Sequence, residues 1–263
     1  MTTYQNILTE VDAGVGIVTL NRPERHNAFD DAMIAELSDA MATMASDTDV
    51  RVVVISSIGK SFCAGADLGW MQRAAAFSLD ENRRDAGELA EMLRRIADCP
   101  KPVIARVQGP AYGGGVGVIA ACDMAVATFE SRFALTEVKL GLIPAVIGPH
   151  VLAAIGERYA RRYMLTAEVF SAAEAYRIGL LHEMVADEAA LDEAVGEWIE
   201  AVLRNGPQAL AECKVLIRAI TGRPYGQKAI DFTVESIARL RVSPEGQEGL
   251  AAFLEKRKPN WVD

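Results

Sequence analysis

Apolar positions recur along this chain in two rhythms, one of strands and one of helices. Gly16-Ile17-Val18-Thr19-Leu20 is a short β-branched run closed by Asn21-Arg22-Pro23, and Val50 to Ser56 is a second, nearly continuous apolar run, so both predict strands. Between them Asp30 stands as a cap before Met33, Ile34, Leu37, Met41 and Met44, which share one helical face. The order is β-α-β. Pro102 to Val107 predicts another strand, Gly115 to Ala121 a helix of small residues, and Met124 to Ala127 a further strand. Strands this apolar, joined through helices, predict a sheet covered on both faces. From about Pro149 onward the pattern predicts helices only. Stretches 190–204, 207–220, 226–240 and 244–256 are amphipathic in turn and separated by Gly, Pro and Ser. The expectation is an α/β core followed by a helical tail, which can cover its own core or pack on a neighbouring subunit.

Composition narrows this. The 263 residues are 51% hydrophobic and 24% charged, which excludes a disordered chain and leaves room for one large domain or two small ones. Lys and Arg number 27 against 36 Asp and Glu, a net charge of −9. An acidic chain lacks the bulk attraction to phosphate that a nucleic-acid binder shows. The start, MTTYQNILTEV, has neither a basic nor an apolar leader region, and no apolar run approaches the ~18 residues of a membrane span. The expectation is a cytoplasmic protein. Cys63, Cys99, Cys122 and Cys213 are scattered, with no C-x-x-C pair and no histidines at ligand spacing, so they are expected to be isolated buried thiols and no metal site is expected.

Three segments can carry chemistry. Ser61-Phe62-Cys63-Ala64-Gly65-Ala66-Asp67-Leu68 is a run of small residues that lets a ligand approach the backbone, and Asp67 can cap a following helix. Gln108 to Gly117 contains three consecutive glycines opening an apolar helix. Each glycine costs roughly 0.5–1 kcal/mol relative to Ala in a helix, so something requires them. Free N–H groups aimed at an anion are one such requirement, and close helix–strand packing is another. Gly115-Val-Gly117-Val-Ile-Ala120, with Glu137 20 residues beyond Gly117, also matches a dinucleotide-binding fingerprint. The third segment centres on Glu137, the only acidic residue between Arg132 and Gly156. A carboxyl in apolar surroundings has its pKa raised, which suits proton transfer near neutrality; a glutamate paired with Lys139 is the alternative.

Together these segments resemble the crotonase superfamily, the enoyl-CoA hydratases and isomerases. The stretches that carry the likeness are Asn21-Arg22-Pro23…Asn27-Ala28, Phe62 to Leu68, Gln108-Gly109…Gly113-Gly114-Gly115, Cys122-Asp123, and Glu137…Gly141-Leu142-Ile143-Pro144. The resemblance implies an α/β spiral of ββα units over residues 1–190, a helical trimerisation region over 191–263, trimers or hexamers built as dimers of trimers, and acyl-CoA substrates. Coenzyme A is then part of the substrate, and no separate cofactor is expected. By position, the N–H groups of Ala66 and Gly114 would polarise the thioester carbonyl, with Glu137 as acid/base. Arg25, His26, Ala28, Ala64, Asp67, Leu68, Tyr112 and Gly113 would contact CoA or substrate. Phe253 and Lys256 in the last helix resemble positions that close the site, from the same or a neighbouring subunit.

One position departs from that pattern. Hydratases of the superfamily usually hold a water between two glutamates, and the earlier of the two maps onto Gly117. The strings around Trp70-Met71, Gly113 to Gly117 and Glu137 to Val146 look like bacterial methylglutaconyl-CoA hydratases and related carboxygeranoyl-CoA hydratases, whose substrates carry an extra carboxylate. Such a substrate wants a cation in the pocket. In an extended segment residues i and i+2 share a side, which would set Lys139 beside Glu137; Arg73 and His150 are alternatives. A double-bond isomerase, which needs only one base, is the competing enzyme reading. A CoA- or RNA-binding protein without catalysis is the reading from another class, and the net charge of −9 counts against RNA.

Overall fold

The computed structural model describes residues 4–262 apart from Arg223 and Tyr225. Its larger sheet has six strands. In sequence they are β1 (Ile7–Asp12), β2 (Val15–Leu20), β3 (Val52–Ser57), β4 (Val103–Val107), β6 (Met124–Thr128) and β9 (Glu183–Val185), and they lie side by side in that order. A smaller sheet orders β5 (Ala111–Tyr112), β7 (Arg132–Ala134) and β8 (Phe170–Ser171). The helices are α1 (Asp31–Ser46), α2 (Leu68–Ala74), α3 (Leu79–Asp98), α4 (Gly114–Ala121), α5 (Gly148–Thr166), α6 (Ala172–Arg177), α7 (Glu188–Leu203), α8 (Pro207–Ile220), α9 (Gln227–Arg241) and α10 (Pro244–Glu255). β1 pairs antiparallel with β2, and from β2 to β9 the larger sheet is parallel.

The continuous apolar runs have a plain cause. β3 is buried at every position, and its alternate residues serve two cores. Val53 and Ile55 join Met33, Leu37 and Met41 of α1, while Val52 and Val54 join Ile104, Val126 and Leu191, Ala194, Val195 and Val202 of α7. A strand with helices on both faces has no solvent side and so no polar alternation. As expected from the sequence, Asp30 caps α1, its side chain accepting from Met33 N–H at 2.9 Å.

Three features differ from the expectation. β1 is an edge strand absent from the sequence reading. The region after Pro149 is not helical throughout, because β8 pairs with β7 and β9 with β6. Strands of two and three residues are too short to display an alternation, so only pairing reveals them. Cys213 is exposed, unlike the buried Cys63 and Cys99. No helix among the described residues is long and apolar enough to cross a membrane.

α7 lies across the expected core–tail boundary and packs on the sheet, so the chain that adds little to the core begins at α8. Helices α8 to α10 bury only Lys214 and Ala252, and leave Ile217, Val234, Ile237, Leu250 and Phe253 exposed. Lys214 ties α8 to the core. Its ammonium donates to the Asp123 carboxylate and to the Lys101 carbonyl, and Asp123 also accepts from Val103 N–H at 2.7 Å. Burial raises the Asp123 pKa in spite of the Lys214 ammonium and the Val103 N–H. Desolvation therefore outweighs the attraction, as in many buried pairs. Lys214→Met should destabilise the protein by about 1–3 kcal/mol in urea denaturation, because it strands a half-buried carboxylate, while adding Asp123→Asn should recover most of that loss.

Candidate active site

The site is assembled from loops that the buried Asn27 and the half-buried Arg22 lock together. Asn27, with φ 53° and no exposed surface, donates to the carbonyls of Ile58 and Ser61 at 2.9 Å and accepts from Arg22 N–H at 2.8 Å. Arg22 bridges Asp30 at 2.7 Å and Asp67 at 3.3 Å and donates to the Ala28 carbonyl at 3.0 Å. The loop before α1 is thereby fixed to the loop before α2. Sequence reading quoted both residues and gave neither a role. The available signal was a polar cluster, two amides and two guanidiniums within the ten residues from Asn21 to Asp30.

Backbone pairing then aligns the small-residue segments. Phe29 N–H donates to Gly65 O at 2.7 Å, Asp67 N–H to Phe29 O at 2.8 Å and Ala64 N–H to His26 O at 2.9 Å. On the other side Tyr112 N–H donates to Cys63 O, and Gly113 N–H to Ala134 O, each at 2.9 Å. The N–H groups of Ala66 and Gly114 take no such partner among the described residues. Gly114 opens α4, where the first N–H groups are unpaired and the dipole is positive. Two glycines permit this approach. Gly65 has φ +93° and a Cβ there would stand 3.2 Å from Tyr112 O; Gly113 has φ +48° and a Cβ there would stand 3.1 Å from Glu137 Oε1. The carboxyl of Glu137 thus lies over the residue next to the Gly114 N–H.

Glu137 begins a 3₁₀ turn, Glu137–Leu140, that follows β7. Its Oε2 is buried with no hydrogen-bond partner. Burial pushes its pKa above the ordinary glutamate value, opposed only by a hydrogen bond to its own backbone. An ionisable oxygen kept dry and unpaired is the arrangement a general acid/base requires.

The expected place of Lys139 is corrected. A 3₁₀ turn, unlike a strand, aligns i with i+3, so Lys139 points away from Glu137 and is exposed; it forms no pair with Glu137. Arg73 is held by Asp31 at 2.6 Å on the surface, and His150 lies half-buried on α5. The dinucleotide reading also fails. A Cβ on Gly115 would meet Cys63 Cβ at 2.8 Å, and one on Gly117 would meet Ile147 Cγ2 at 2.3 Å, so these glycines face the protein's own side chains and no cofactor can reach them.

The other expected site residues fall into two groups. Asp67 caps α2, accepting from Gly69 and Trp70 N–H at 2.8 and 3.2 Å. Burial would raise its pKa, but those N–H groups with Arg22 and Arg25 hold it below the usual aspartate value. Arg25, His26, Ala64 and Leu68 are exposed beside it, His26 Nδ1 lying 3.1 Å from Ser61 Oγ, while Ala28 is buried and Tyr112 half-buried. Phe253 and Lys256 belong to the end of α10, which packs on α8 and α9, and are the two that the single chain does not bring to the rest.

Known proteins are similar to this chain along nearly its whole length. The enoyl-CoA hydratase/isomerase family pattern matches residues 10–263. A crotonyl-CoA hydratase of Syntrophomonas wolfei is 32% identical over 262 residues, covering 98% of both chains. An enoyl-CoA hydratase structure from Shewanella pealeana superposes with a TM-score of 0.95 at 43% identity, over 98% of this chain and 96% of that one. The structure of Pseudomonas aeruginosa AtuE gives a TM-score of 0.94 at 36% identity, over 98% of this chain and 100% of that one. With its α/β crotonase-type fold and this match along nearly its whole length, the chain belongs to the enoyl-CoA hydratase/isomerase family.

Proposed function

We propose that the protein is a lyase that adds water across the α,β double bond of an acyl-CoA thioester, and that its substrate is methylglutaconyl-CoA or a similar branched or carboxylated enoyl-CoA. The observation that carries the reading is the juxtaposition of two unpaired N–H groups, on Ala66 and Gly114, with the Glu137 carboxyl, whose Oε2 is buried and unpaired. Ionised Glu137 takes a proton from water as the water oxygen bonds to Cβ. The π electrons move to the thioester oxygen, where the Ala66 and Gly114 N–H groups stabilise the enolate, each by about 2.7–4 kcal/mol. The enolate then takes the proton back at Cα, and Glu137 is regenerated. With Gly117 backed by Ile147, one carboxylate serves both transfers.

The name of the crotonyl-CoA hydratase relative supports the thioester class. The exposed apolar faces of α8 to α10 support a homotrimer or a dimer of trimers, in which Phe253 and Lys256 would reach a neighbour's CoA. A second reading, double-bond isomerisation, draws on the same single carboxylate. Solvent oxygen separates the two: hydration incorporates labelled oxygen from water at Cβ, and isomerisation exchanges protons without it.

Glu137→Gln should lower turnover by about 10²–10⁴-fold while thioester binding by calorimetry survives; unchanged turnover would remove the assignment. The same substitution should raise stability, with a definite pH dependence. Because the folded pKa of Glu137 is raised, the native state binds the extra proton, and stability contributed by this group is lost as pH rises from the ordinary glutamate value through the folded one. Thermal melts should show Glu137→Gln more stable than the parent above that window and equal to it below.

A further inference from the structure

The Glu137 carboxyl is held in place with a hydrogen bond only to its own backbone. Its Oε2 has no partner, so the carboxyl depends on the packing of the loop that carries it. α4 offers bare backbone at two successive turns, joined by Gly117 N–H donating to Gly113 O at 3.2 Å. The first turn, at Gly113, receives Glu137 Oε1. The second, at Gly117, receives Ile147, whose Cγ2 and Cβ stand 2.3 and 2.8 Å from where a Cβ on Gly117 would lie. Ile147 is 2% exposed.

Both side chains come from one short loop, and that loop is braced along its length. Leu142 N–H donates to Glu137 O at 3.1 Å, Ala145 N–H to Ile143 O at 2.8 Å and Gly148 N–H to Ala145 O at 3.2 Å. Where Ile147 seats on α4 therefore sets where the start of the loop, and Glu137, comes to rest. A side chain at position 117 and Ile147 cannot both occupy the notch.

We propose that Ile147 is a positioning residue for Glu137: its Cγ2 branch, lodged on Gly117, anchors the loop that carries the carboxyl and seals that side of α4 against water and against a second acid. The proposal rests on the hydratase reading, since it concerns the group that moves the protons there.

Two conservative substitutions test it with little risk to folding, since Ile→Val removes a single methyl group and Ile→Leu conserves volume, and such exchanges usually cost little stability. Ile147→Val keeps the Cγ2 branch and Ile147→Leu removes it. On an enoyl-CoA that the wild-type protein hydrates, Ile147→Val should stay within about threefold of wild-type kcat. Ile147→Leu should lose about 10–100-fold in kcat with KM within about twofold, since small displacements of a reacting group can cost about 10²-fold. Gly117→Ala should lose kcat in the same way, and combined with Ile147→Leu the loss should be smaller than the product of the two single losses. Ile147→Leu at wild-type kcat, a loss in KM alone, or strictly multiplicative losses would overturn the proposal. A wild-type protein that hydrates no enoyl-CoA fails the functional reading instead; a flat Val-to-Leu contrast with an active wild type fails only the seat of Ile147.

Discussion

The proposed hydration needs two backbone N–H groups left unpaired to meet one thioester oxygen, and the loops around Ala66 and Gly114 are paired in a way that leaves those two free. An N–H without a partner costs about 1–3 kcal/mol where water cannot reach it. The chain limits the exception to Ala66 and Gly114 by pairing their surroundings. Gly65 O, Asp67 N–H, Cys63 O and Gly113 N–H are all bonded to neighbouring segments. The pairing works only if three loops arrive together, which is what Asn27 and Arg22 arrange. The parallel sheet contributes by delivering those loops from the same end of β3 and β4.

Charge is distributed with similar economy. Arg22 is committed to Asp30 and Asp67, and Arg25 acts on Asp67 as well, so the cations near the site balance its structural carboxylates. Glu137 has no cation assigned to it, and burial alone governs its protonation. A chain with net charge −9 that accepts a polyanionic thioester must then rely on the positive end of α4 and on exposed backbone amides for local attraction.

Much of this is readable from the sequence, and the unread parts share one property. The apolar runs of β2, β3 and β4, the cap at Asp30 and the tail helices follow from periodicity, because the information lies within a few residues. The small-residue segments and the isolated acid at Glu137 stand out for the same reason. Lys139 was placed by a rule for strands, and the 3₁₀ turn that overrules it is set by packing against α5. The clamp by Arg22 and the seating of Ile147 depend on partners 45 and 30 residues away, which no local pattern displays. β8 and β9 exist only as partners of other strands.

The most informative position is one where the sequence shows an absence. Gly117 reads as a lost carboxylate, but the structure shows its place filled by a buried isoleucine. A vacancy would admit water to Glu137, lower the penalty on its charged form and bring its pKa back toward that of an ordinary glutamate. With the notch filled by Ile147, burial governs the Glu137 carboxyl, and its affinity for a proton is raised. That matters more with one carboxylate than with two. In the proposed hydration a single group is ionised to accept the proton of water and protonated to deliver it to Cα, and a raised pKa favours the protonated state it needs for the second step. Loss of the second acid and burial of the first are thus two sides of one packing arrangement.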